Sequence, residues 1–180
     1  VMIPYRALCS NIQFAKKVLP ELNNHTKVVA MLPSAHMYGM MFEFLFEMAI
    51  GAHVHFLTRV PSPKIIMQAL AEVKPNIIIA VPLIIEKVYK SKIQKIVEKG
   101  GVKTLLKVPV IDKMIQKKIC GELVSAFGGN FVEVIMGGAA FNKEIEKFFW
   151  DIAFPYTVGY GMTECAPIIT YAHYDDKRLY

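Results

Sequence analysis

One segment near the end of the chain, Val158–Pro167, combines side-chain types that handle a phosphorylated ligand. It reads VGYGMTECAP, so two glycines flank Tyr160, and a hydroxyl and a carboxylate follow. The Tyr160 ring offers a flat face to a base, and glycine lets the main chain approach a ligand closely. The Thr163 hydroxyl suits a phosphate oxygen, and the Glu164 carboxylate suits Mg²⁺, which prefers oxygen ligands. A strand-to-helix turn with Thr163 as its N-cap would explain the same residues without a ligand.

Two earlier stretches have a related character. Met136–Phe141 reads MGGAAF, and paired glycines and alanines suit either a wall against a flat ligand or close packing of a strand on a helix. Leu32–Gly39 reads LPSAHMYG and places His36 just after a predicted strand. A single histidine is more often structural than functional, so His36 is a candidate on weaker grounds.

The elements that must position these stretches alternate between strands and helices. Short apolar runs predict buried strands at Lys27–Leu32, Ala52–Leu57, Ile77–Val81, Phe131–Met136 and Tyr156–Val158. Apolar residues at helical spacing predict helices at Arg6–Val18, Tyr38–Ile50, Ser62–Val73, Pro82–Lys99, Ile111–Phe127 and Asn142–Trp150. This alternation is typical of an α/β fold, with a parallel sheet and helices on both of its faces.

In an open parallel sheet, ligands bind beyond the carboxyl ends of the strands. Those ends are predicted at Pro33–Gly39, Val81–Pro82, Gly137–Ala140 and Gly159–Thr163, so the three candidate stretches should meet at one edge of the sheet. Glu43 and Glu47 lie one turn apart on the second predicted helix. We interpret them as solvated or locally paired helix residues rather than as a catalytic pair.

Length and composition narrow the class of protein. The chain has 180 residues, 54% of them hydrophobic and 20% charged, which suits one domain with a core and excludes a disordered chain. No uncharged apolar run reaches the roughly 18 residues of a membrane-spanning helix. The three cysteines are widely spaced and form no CxxC pair, which fits a reducing cytosol and argues against a disulfide or cysteine–zinc scaffold.

Positive charge is concentrated in one segment. Lys87–Lys118 holds ten lysines and two acidic residues, a net charge of +8, whereas the whole chain carries +6. The segment has no arginine and only Tyr89 as an aromatic residue, which argues against nucleic-acid binding. It is either the solvated face of two helices or a surface for anionic headgroups or the phosphates of CoA.

The ordered motifs together resemble the adenylate-forming superfamily, and most closely the bacterial-type long-chain fatty acid–CoA ligases. The resemblance covers the whole chain and rests on LPxxHxxG, GGA and YGxTE elements at Leu32–Gly39, Gly137–Ala139 and Tyr160–Glu164. Val81–Tyr89 is similar to the VPxxxEKxY stretch of the long-chain enzymes, although Leu83 stands where arginine is common. Cys165 and Ala140 also depart from the usual residues.

The resemblance implies an enzyme that uses ATP and Mg²⁺ to convert a fatty acid to acyl-AMP and then transfers the acyl group to CoA. It implies that Tyr160 packs on adenine, that Thr163 contacts the phosphates and that Glu164 holds Mg²⁺. It also implies that His36 lies near the carboxylate and the thiol entry. The nucleotide site would be completed by Gly138, Ala139, Gly159, Gly161 and Met162.

Because the chain begins with Val1, we expect residues 1–180 to be an internal fragment of the large N-terminal domain. The phosphate loop would precede residue 1, the small C-terminal domain would follow residue 180, and the fragment alone would be inactive. We expect a cytoplasmic enzyme, with peripheral contact to the inner membrane surface through Lys87–Lys118. Two alternatives stay open: an adenylating enzyme with another acid or a carrier-protein acceptor, and a non-enzymatic basic module that docks on a membrane or partner.

Overall fold

A computed structural model of the chain describes residues 1–93 and 109–176. The helices are α1 Tyr5–Val18, α2 Met37–Met40, α3 Phe46–Ile50, α4 Pro63–Val73, α5 Pro82–Val88, α6 Pro109–Ala126 and α7 Lys143–Asp151. The strands are β1 Lys27–Ala30, β2 His53–Phe56, β3 Ile78–Ala80, β4 Val134–Met136, β5 Tyr156–Val158, β6 Tyr160–Gly161 and β7 Ile168–Thr170. The helix predicted at Pro82–Lys99 is observed as α5 followed by a π-helical segment, Tyr89–Ile93, and its remainder, residues 94–99, lies outside the described residues.

The first five strands are parallel, as the alternation of strands and helices predicts. Strands β1 and β2 pair with each other, and β4 lies between β3 and β5. Asn76 connects the two groups: its N–H donates to the Lys27 carbonyl, and its side-chain oxygen accepts from the Lys27 N–H, both at 2.8 Å. These bonds join the start of β1 to the segment that leads into β3.

Residues that alternate along β3 enter different hydrophobic clusters. Ile78 and Ala80 belong to a cluster that includes α4, α5, α6 and α7, whereas Ile77 and Ile79 belong to a cluster that includes α1 and Phe46. Successive side chains of a strand point to opposite faces, so the two clusters are the two sides of the sheet. The expected α/β architecture, with helices on both faces of a parallel sheet, is confirmed.

An aromatic group fills the larger cluster. The ring of Phe149, on α7, lies 4.8 Å from that of Phe154 and 5.7 Å from those of Phe141 and Tyr156. Phe149 is fully buried, and its neighbours meet it edge-on or tilted, the arrangements that aromatic quadrupoles favour. This packing fixes α7 against β5 and against the loop that follows β4.

The helix predicted at Tyr38–Ile50 is interrupted. Helices α2 and α3 are separated by a π-helical segment, Met41–Leu45. A π-helical turn widens the helix by one residue and changes the direction of the side chains that it carries. Here it carries Glu43, whose carboxylate reaches the end of β1.

The segment after β5 contains a hairpin that the sequence does not predict. Strands β6 and β7 pair antiparallel, and between them lies a short 3₁₀ turn, Thr163–Cys165. The residues after the hairpin bind back to the sheet, since the Thr157 hydroxyl donates to the Ala172 carbonyl at 2.7 Å. The Tyr171 hydroxyl also donates to the buried carboxylate of Glu133, on the segment leading into β4.

Candidate active site

The register of the central strands brings the candidate loops to one edge. Ala80 lies opposite Met136, and Met136 lies opposite Val158, so β3, β4 and β5 end at the same level. Just beyond these ends, backbone hydrogen bonds continue between neighbouring strands. The Gly137 N–H donates to the Ala80 carbonyl, and the Gly159 N–H donates to the Met136 carbonyl. The predicted meeting of these loops is therefore observed.

A cavity of about 190 Å³ opens between these loops and helices α1 and α2–α3. Seven of the residues that sequence reasoning selected line it: His36, Gly138, Gly159, Tyr160, Gly161, Met162 and Thr163. The opposite part of the lining is apolar and includes Phe14, Val18, Phe42, Phe46, Ile77 and Ile135. Ala139 and Glu164, the other two selected residues, are exposed and are not among the lining residues.

His36 occupies the N-cap of α2. Its Nδ1 accepts a hydrogen bond from the Tyr38 N–H at 3.3 Å, so a neutral ring carries its proton on Nε2. The ring is exposed and lies in the cavity lining. The structural and functional interpretations of this histidine are thus compatible, because one ring nitrogen serves the helix and the other remains for a ligand.

Gly138 of the GGA element and Gly161 of the YGxTE element are required by the structure for different reasons. Gly138 has a φ of +83°, a left-handed conformation that strains any residue with a Cβ, although an added Cβ would meet Val81 Cγ1 at an ordinary 3.8 Å. At Gly161, an added Cβ would lie 2.2 Å from the Pro167 carbonyl oxygen, so close packing within the hairpin requires glycine there. The predicted role of Gly161, close approach to a ligand, therefore has a competing explanation in the fold.

Thr163 and Glu164 lie together in the 3₁₀ turn, and both are exposed. Met162, rather than Thr163, takes the N-cap position of this turn, so the interpretation of Thr163 as a cap is wrong. The turn is closed by the Met162 N–H, which donates to the Pro167 carbonyl at 2.8 Å. The hydroxyl and the carboxylate therefore stand on a short closed loop beside the cavity.

Asn11 holds this loop in place, and sequence reasoning missed it. Its side-chain N–H donates to the Cys165 carbonyl at 3.2 Å, and its side-chain oxygen accepts from the Ile168 N–H at 3.0 Å. Asn11 is buried on α1, whose inward face is otherwise apolar. A polar residue on the buried face of a helix was the available signal, because such a residue needs a hydrogen-bonding partner.

Tyr38 was also missed. Its hydroxyl donates to the Ile135 carbonyl at 3.1 Å, and a Cβ added at Gly137 would lie 3.1 Å from its ring. Burial and the nearby carboxylates of Glu43 and Glu133 raise the pKa of Tyr38, so its hydroxyl keeps its proton. Tyr38 thereby fixes α2 against β4, and Gly137 provides the space for its ring.

Glu43 and Glu47 are buried, which corrects the expectation that they are solvated or locally paired helix residues. Glu43 accepts from the N–H groups of Met31 and Leu32 at 3.0 and 2.9 Å, so it holds the end of β1. Burial raises the pKa of Glu43 to about 7, although those two hydrogen bonds oppose the shift. Burial, followed by the charge of Glu43, raises the pKa of Glu47 to about 8.

The part of the chain that the structure describes has no group of three or more His, Cys, Asp or Glu side chains able to hold a metal ion. Glu164 supplies a single exposed carboxylate next to Thr163. Mg²⁺ is commonly held by one or two carboxylates together with substrate phosphates and water. The donor set present here fits a metal that arrives with a nucleotide.

Residues 94–108 of the basic segment Lys87–Lys118 lie outside the described residues, and its proposed contact with anionic membrane is not addressed. Six of its ten lysines fall within the described part: Lys87, Lys90, Lys92, Lys113, Lys117 and Lys118. Of the helices described, none combines the length and the apolar character needed to cross a bilayer.

Comparison with known proteins identifies the family. A family model described as AMP-binding enzyme matches residues 1–180. Long chain acyl-CoA synthetase 8 of Arabidopsis thaliana is 28% identical over 204 residues, which cover 99% of this chain and 28% of that protein. Long-chain-fatty-acid–CoA ligase 4 of Saccharomyces cerevisiae is 29% identical over 150 residues, which cover 77% of this chain and 22% of that protein. This chain thus spans less than a third of the length of these relatives.

A solved structure of a malonyl-CoA ligase, with methylmalonyl-CoA and AMP bound, matches with a TM-score of 0.66 and 19% sequence identity. The match covers 98% of this chain and 32% of that one. It shows that the strands and helices described above have the fold of the N-terminal domain of adenylate-forming ligases. Because the family model covers every residue, the chain belongs to the AMP-binding enzyme family.

Proposed function

We propose that this chain is the central part of the N-terminal domain of a fatty acid–CoA ligase. In the first step, a carboxylate oxygen of the acid attacks the α-phosphorus of ATP, forming acyl-AMP and releasing pyrophosphate. In the second, the CoA thiol attacks the acyl carbon, forming the thioester and releasing AMP, while the thiol loses its proton. The phosphate loop and the C-terminal domain would come from sequence outside residues 1–180.

The observation that carries this proposal is the composition of the cavity. The glycine-rich loops and Thr163 contribute the polar part of the lining, and most of the remainder consists of aromatic and aliphatic side chains, with Glu47 among them. An apolar wall next to a polar, glycine-rich end suits a molecule with a hydrocarbon chain and a reactive carboxylate. The two long-chain relatives support the same class of acid.

The residues at the polar end have distinct proposed roles. The Tyr160 ring, 62% exposed, is available to stack on adenine, while Gly138 and Ala139 border the base. The Thr163 hydroxyl donates to a phosphate oxygen, and the free nitrogen of His36 lies near the acid carboxylate. Gly159, Gly161 and Met162 form the main-chain wall between them.

The chemical problem at this site is electrostatic repulsion between the carboxylate and the phosphates. Fixed donors and correct orientation reduce that barrier without a covalent role for the protein. Mg²⁺, when bound with ATP, supplies charge neutralisation at the phosphates, and Glu164 would hold it. The hydrogen bonds of Asn11 keep Thr163 and Glu164 positioned for this task.

A second candidate is an adenylating ligase for another acid or another acceptor. It is favoured by Leu83, which is 58% exposed and replaces the arginine of the long-chain motif. The malonyl-CoA ligase also shares the fold, so the fold itself does not select the acid.

The proposal is tested by product analysis with the intact protein, ATP, Mg²⁺, CoA and a series of acids from acetate to palmitate. We expect acyl-CoA and AMP to form together, most rapidly with the longer fatty acids. Formation of acyl-AMP without acyl-CoA would indicate another acceptor and contradict the CoA step. Preference for short or aromatic acids would contradict the fatty-acid assignment and support the second candidate.

A further inference from the structure

Among the described residues, the cavity lining contains one buried polar side chain without a hydrogen-bond partner. Glu47 is fully buried, and within the described residues neither of its carboxyl oxygens has a hydrogen-bond partner. It lies in the cavity lining together with Phe42, Phe46 and Leu19. A buried carboxyl without a partner is destabilising, so its presence in an apolar wall requires an explanation.

The position of Glu47 on its helix does not explain it. Glu43, one turn earlier, is also buried, but both of its oxygens accept from the backbone at the end of β1. The Tyr38 hydroxyl, which also lines the cavity, already donates to the Ile135 carbonyl. No ion pair among the described residues involves Glu47. The groups packed around this carboxyl therefore offer it an acidic neighbour and apolar surface.

The continuous helical run from α2 to α3 determines how far Glu47 lies from His36 and from the loops that carry Thr163. His36 caps the start of α2, near the loops that carry Thr163. Glu47 follows eleven positions later in the same helical run. At about 1.5 Å per residue, the two positions are roughly 16 Å apart along the axis. An acyl chain that runs from the reactive end along the apolar lining would therefore pass Glu47 well away from its own carboxylate.

We propose that Glu47 determines substrate specificity by binding a hydrogen-bond donor on the acyl chain, so that the preferred acid carries a hydroxyl or amino group near its far end. This inference rests on the proposed function, and it narrows the fatty-acid class to polar-substituted chains. Neither carboxyl oxygen of Glu47 has a partner within the described residues. The Tyr38 and Tyr171 hydroxyls, which also line the cavity, already donate to the Ile135 carbonyl and to Glu133.

Burial favours a hydroxyl over an amine as that donor. The pKa of Glu47 is raised to about 8 by burial and by the charge of Glu43, so the carboxyl is mostly uncharged near neutral pH. An uncharged carboxyl and a hydroxyl can each donate and accept, which satisfies both groups. An ammonium group would require Glu47 to ionise beside Glu43.

The test measures equilibrium binding to the intact protein without ATP, by displacement of a fluorescent fatty acid. The competitors are a plain fatty acid, its terminal hydroxy derivative and its terminal amino derivative, at several chain lengths. We expect the hydroxy acid to bind about tenfold more tightly than the plain acid at a matching length, the gain of one buried hydrogen bond, and the amino acid to gain less.

Two substitutions distinguish a hydrogen bond from Glu47 to the acyl chain from a structural role of Glu47. Glu47→Leu removes the polar group, and we expect it to bind the plain acid at least as well as wild type and to lose the preference for a substituted acid. Glu47→Gln keeps the shape and an accepting oxygen, so it should retain preference for the hydroxy acid and lose any for the amino acid. The Gln variant also serves if the Leu variant fails to fold.

The inference is overturned if wild type shows no preference among the three acids, or binds none of them. It is also overturned if both variants weaken all acids equally, which would indicate a structural role for Glu47. Activation of plain acids with ATP is measured separately on the same preparations. Loss of that activity with retained hydroxy-acid binding would contradict the proposed function alone.

Discussion

Asn11 holds the loop that carries Thr163 and Glu164, although Asn11 does not line the cavity itself. Its two long-range hydrogen bonds connect this loop to α1. The loop residues themselves are exposed, so they contribute little to stability and remain available for a ligand. At this edge, the residues with proposed roles in the reaction differ from the residue that holds their loop.

Replacing Thr163 or Glu164 by Ala should abolish adenylation without unfolding the protein. We expect kcat to fall by about 10²–10³, because each change removes a group that acts on developing charge at the phosphates. Initial rates of acyl-AMP formation measure the effect. Thr58→Ala and Glu144→Ala remove matched exposed side chains outside the hairpin and should retain activity. Wild-type rates in the two loop variants would remove these residues from the mechanism.

Replacing Asn11 by Leu should weaken the use of ATP. The change deletes both side-chain bonds to the loop and leaves the Ile168 N–H without its partner, at a cost of about 1–3 kcal/mol. We expect kcat/KM for ATP to fall about tenfold or more, with a smaller effect on the acid. Gln13→Leu, an exposed change on the same helix, is the control. Equal kinetics in both variants would contradict the anchoring role.

Glu47→Gln should change how stability depends on pH. The pKa of wild-type Glu47 is about 8 in the folded state and near 4.5 in the unfolded state. The folded protein therefore keeps the Glu47 proton up to a higher pH than the unfolded chain does. Stability contributed by this group is thus lost as pH rises from about 4.5 to 8. We expect the variant to melt on the order of 5 °C above wild type at pH 9, with the difference vanishing near pH 4. A pH-independent difference in Tm would contradict the shifted pKa.

At the level of elements, the sheet and its helices follow from the sequence pattern, whereas the connections near the site do not. Ile77–Val81 shows a continuous apolar run, and both faces of β3 prove to be covered. The β6–β7 hairpin escapes prediction because its strands have two and three residues and depend on tertiary contacts such as that of Asn11. A period of 3.6 likewise cannot distinguish the π-helical turn at Met41–Leu45 from ordinary helix.

At the candidate site too, the local sequence predicts some residues, whereas others depend on distant contacts. The loop residues are predictable because strand ends, glycines and polar side chains coincide in the sequence. Tyr38 and Asn11 were not, because their partners, Ile135 and Ile168, lie 97 and 157 positions away. The prediction that Glu47 is solvated or locally paired is wrong because helical spacing shows which side of a helix a residue lies on. It does not show whether another element covers that side.

Phe149→Ala should destabilise the domain severely while leaving the site residues unchanged. The ring is fully buried between Phe154, Phe141 and Tyr156, so its removal leaves a cavity that these rings cannot close. We expect a loss of about 3–5 kcal/mol in the free energy of unfolding, measured with urea. Trp150→Ala, at a neighbouring position that is 37% exposed, should cost less. A loss below about 1 kcal/mol for Phe149→Ala would contradict this description of the core.

At the scale of the whole molecule, the cavity is bounded by both the sheet edge and helices α1 and α2–α3. The same apolar cluster that joins α1 to the sheet therefore also forms part of the cavity wall. Changes in that wall should alter both acid preference and stability. The proposed phosphate loop and C-terminal domain would close the site from outside this chain, which is why catalysis is expected only from the intact protein.

The central claim is adenylation of a fatty acid, and ATP–pyrophosphate exchange tests it most directly. The intact protein is incubated with labelled pyrophosphate, ATP, Mg²⁺ and each acid from acetate to palmitate, in parallel with its Glu164→Ala variant and with residues 1–180 alone. We expect exchange that depends on long-chain acids in the intact wild-type protein and in neither of the other samples. Absence of exchange with every acid, or undiminished exchange in Glu164→Ala, would contradict it.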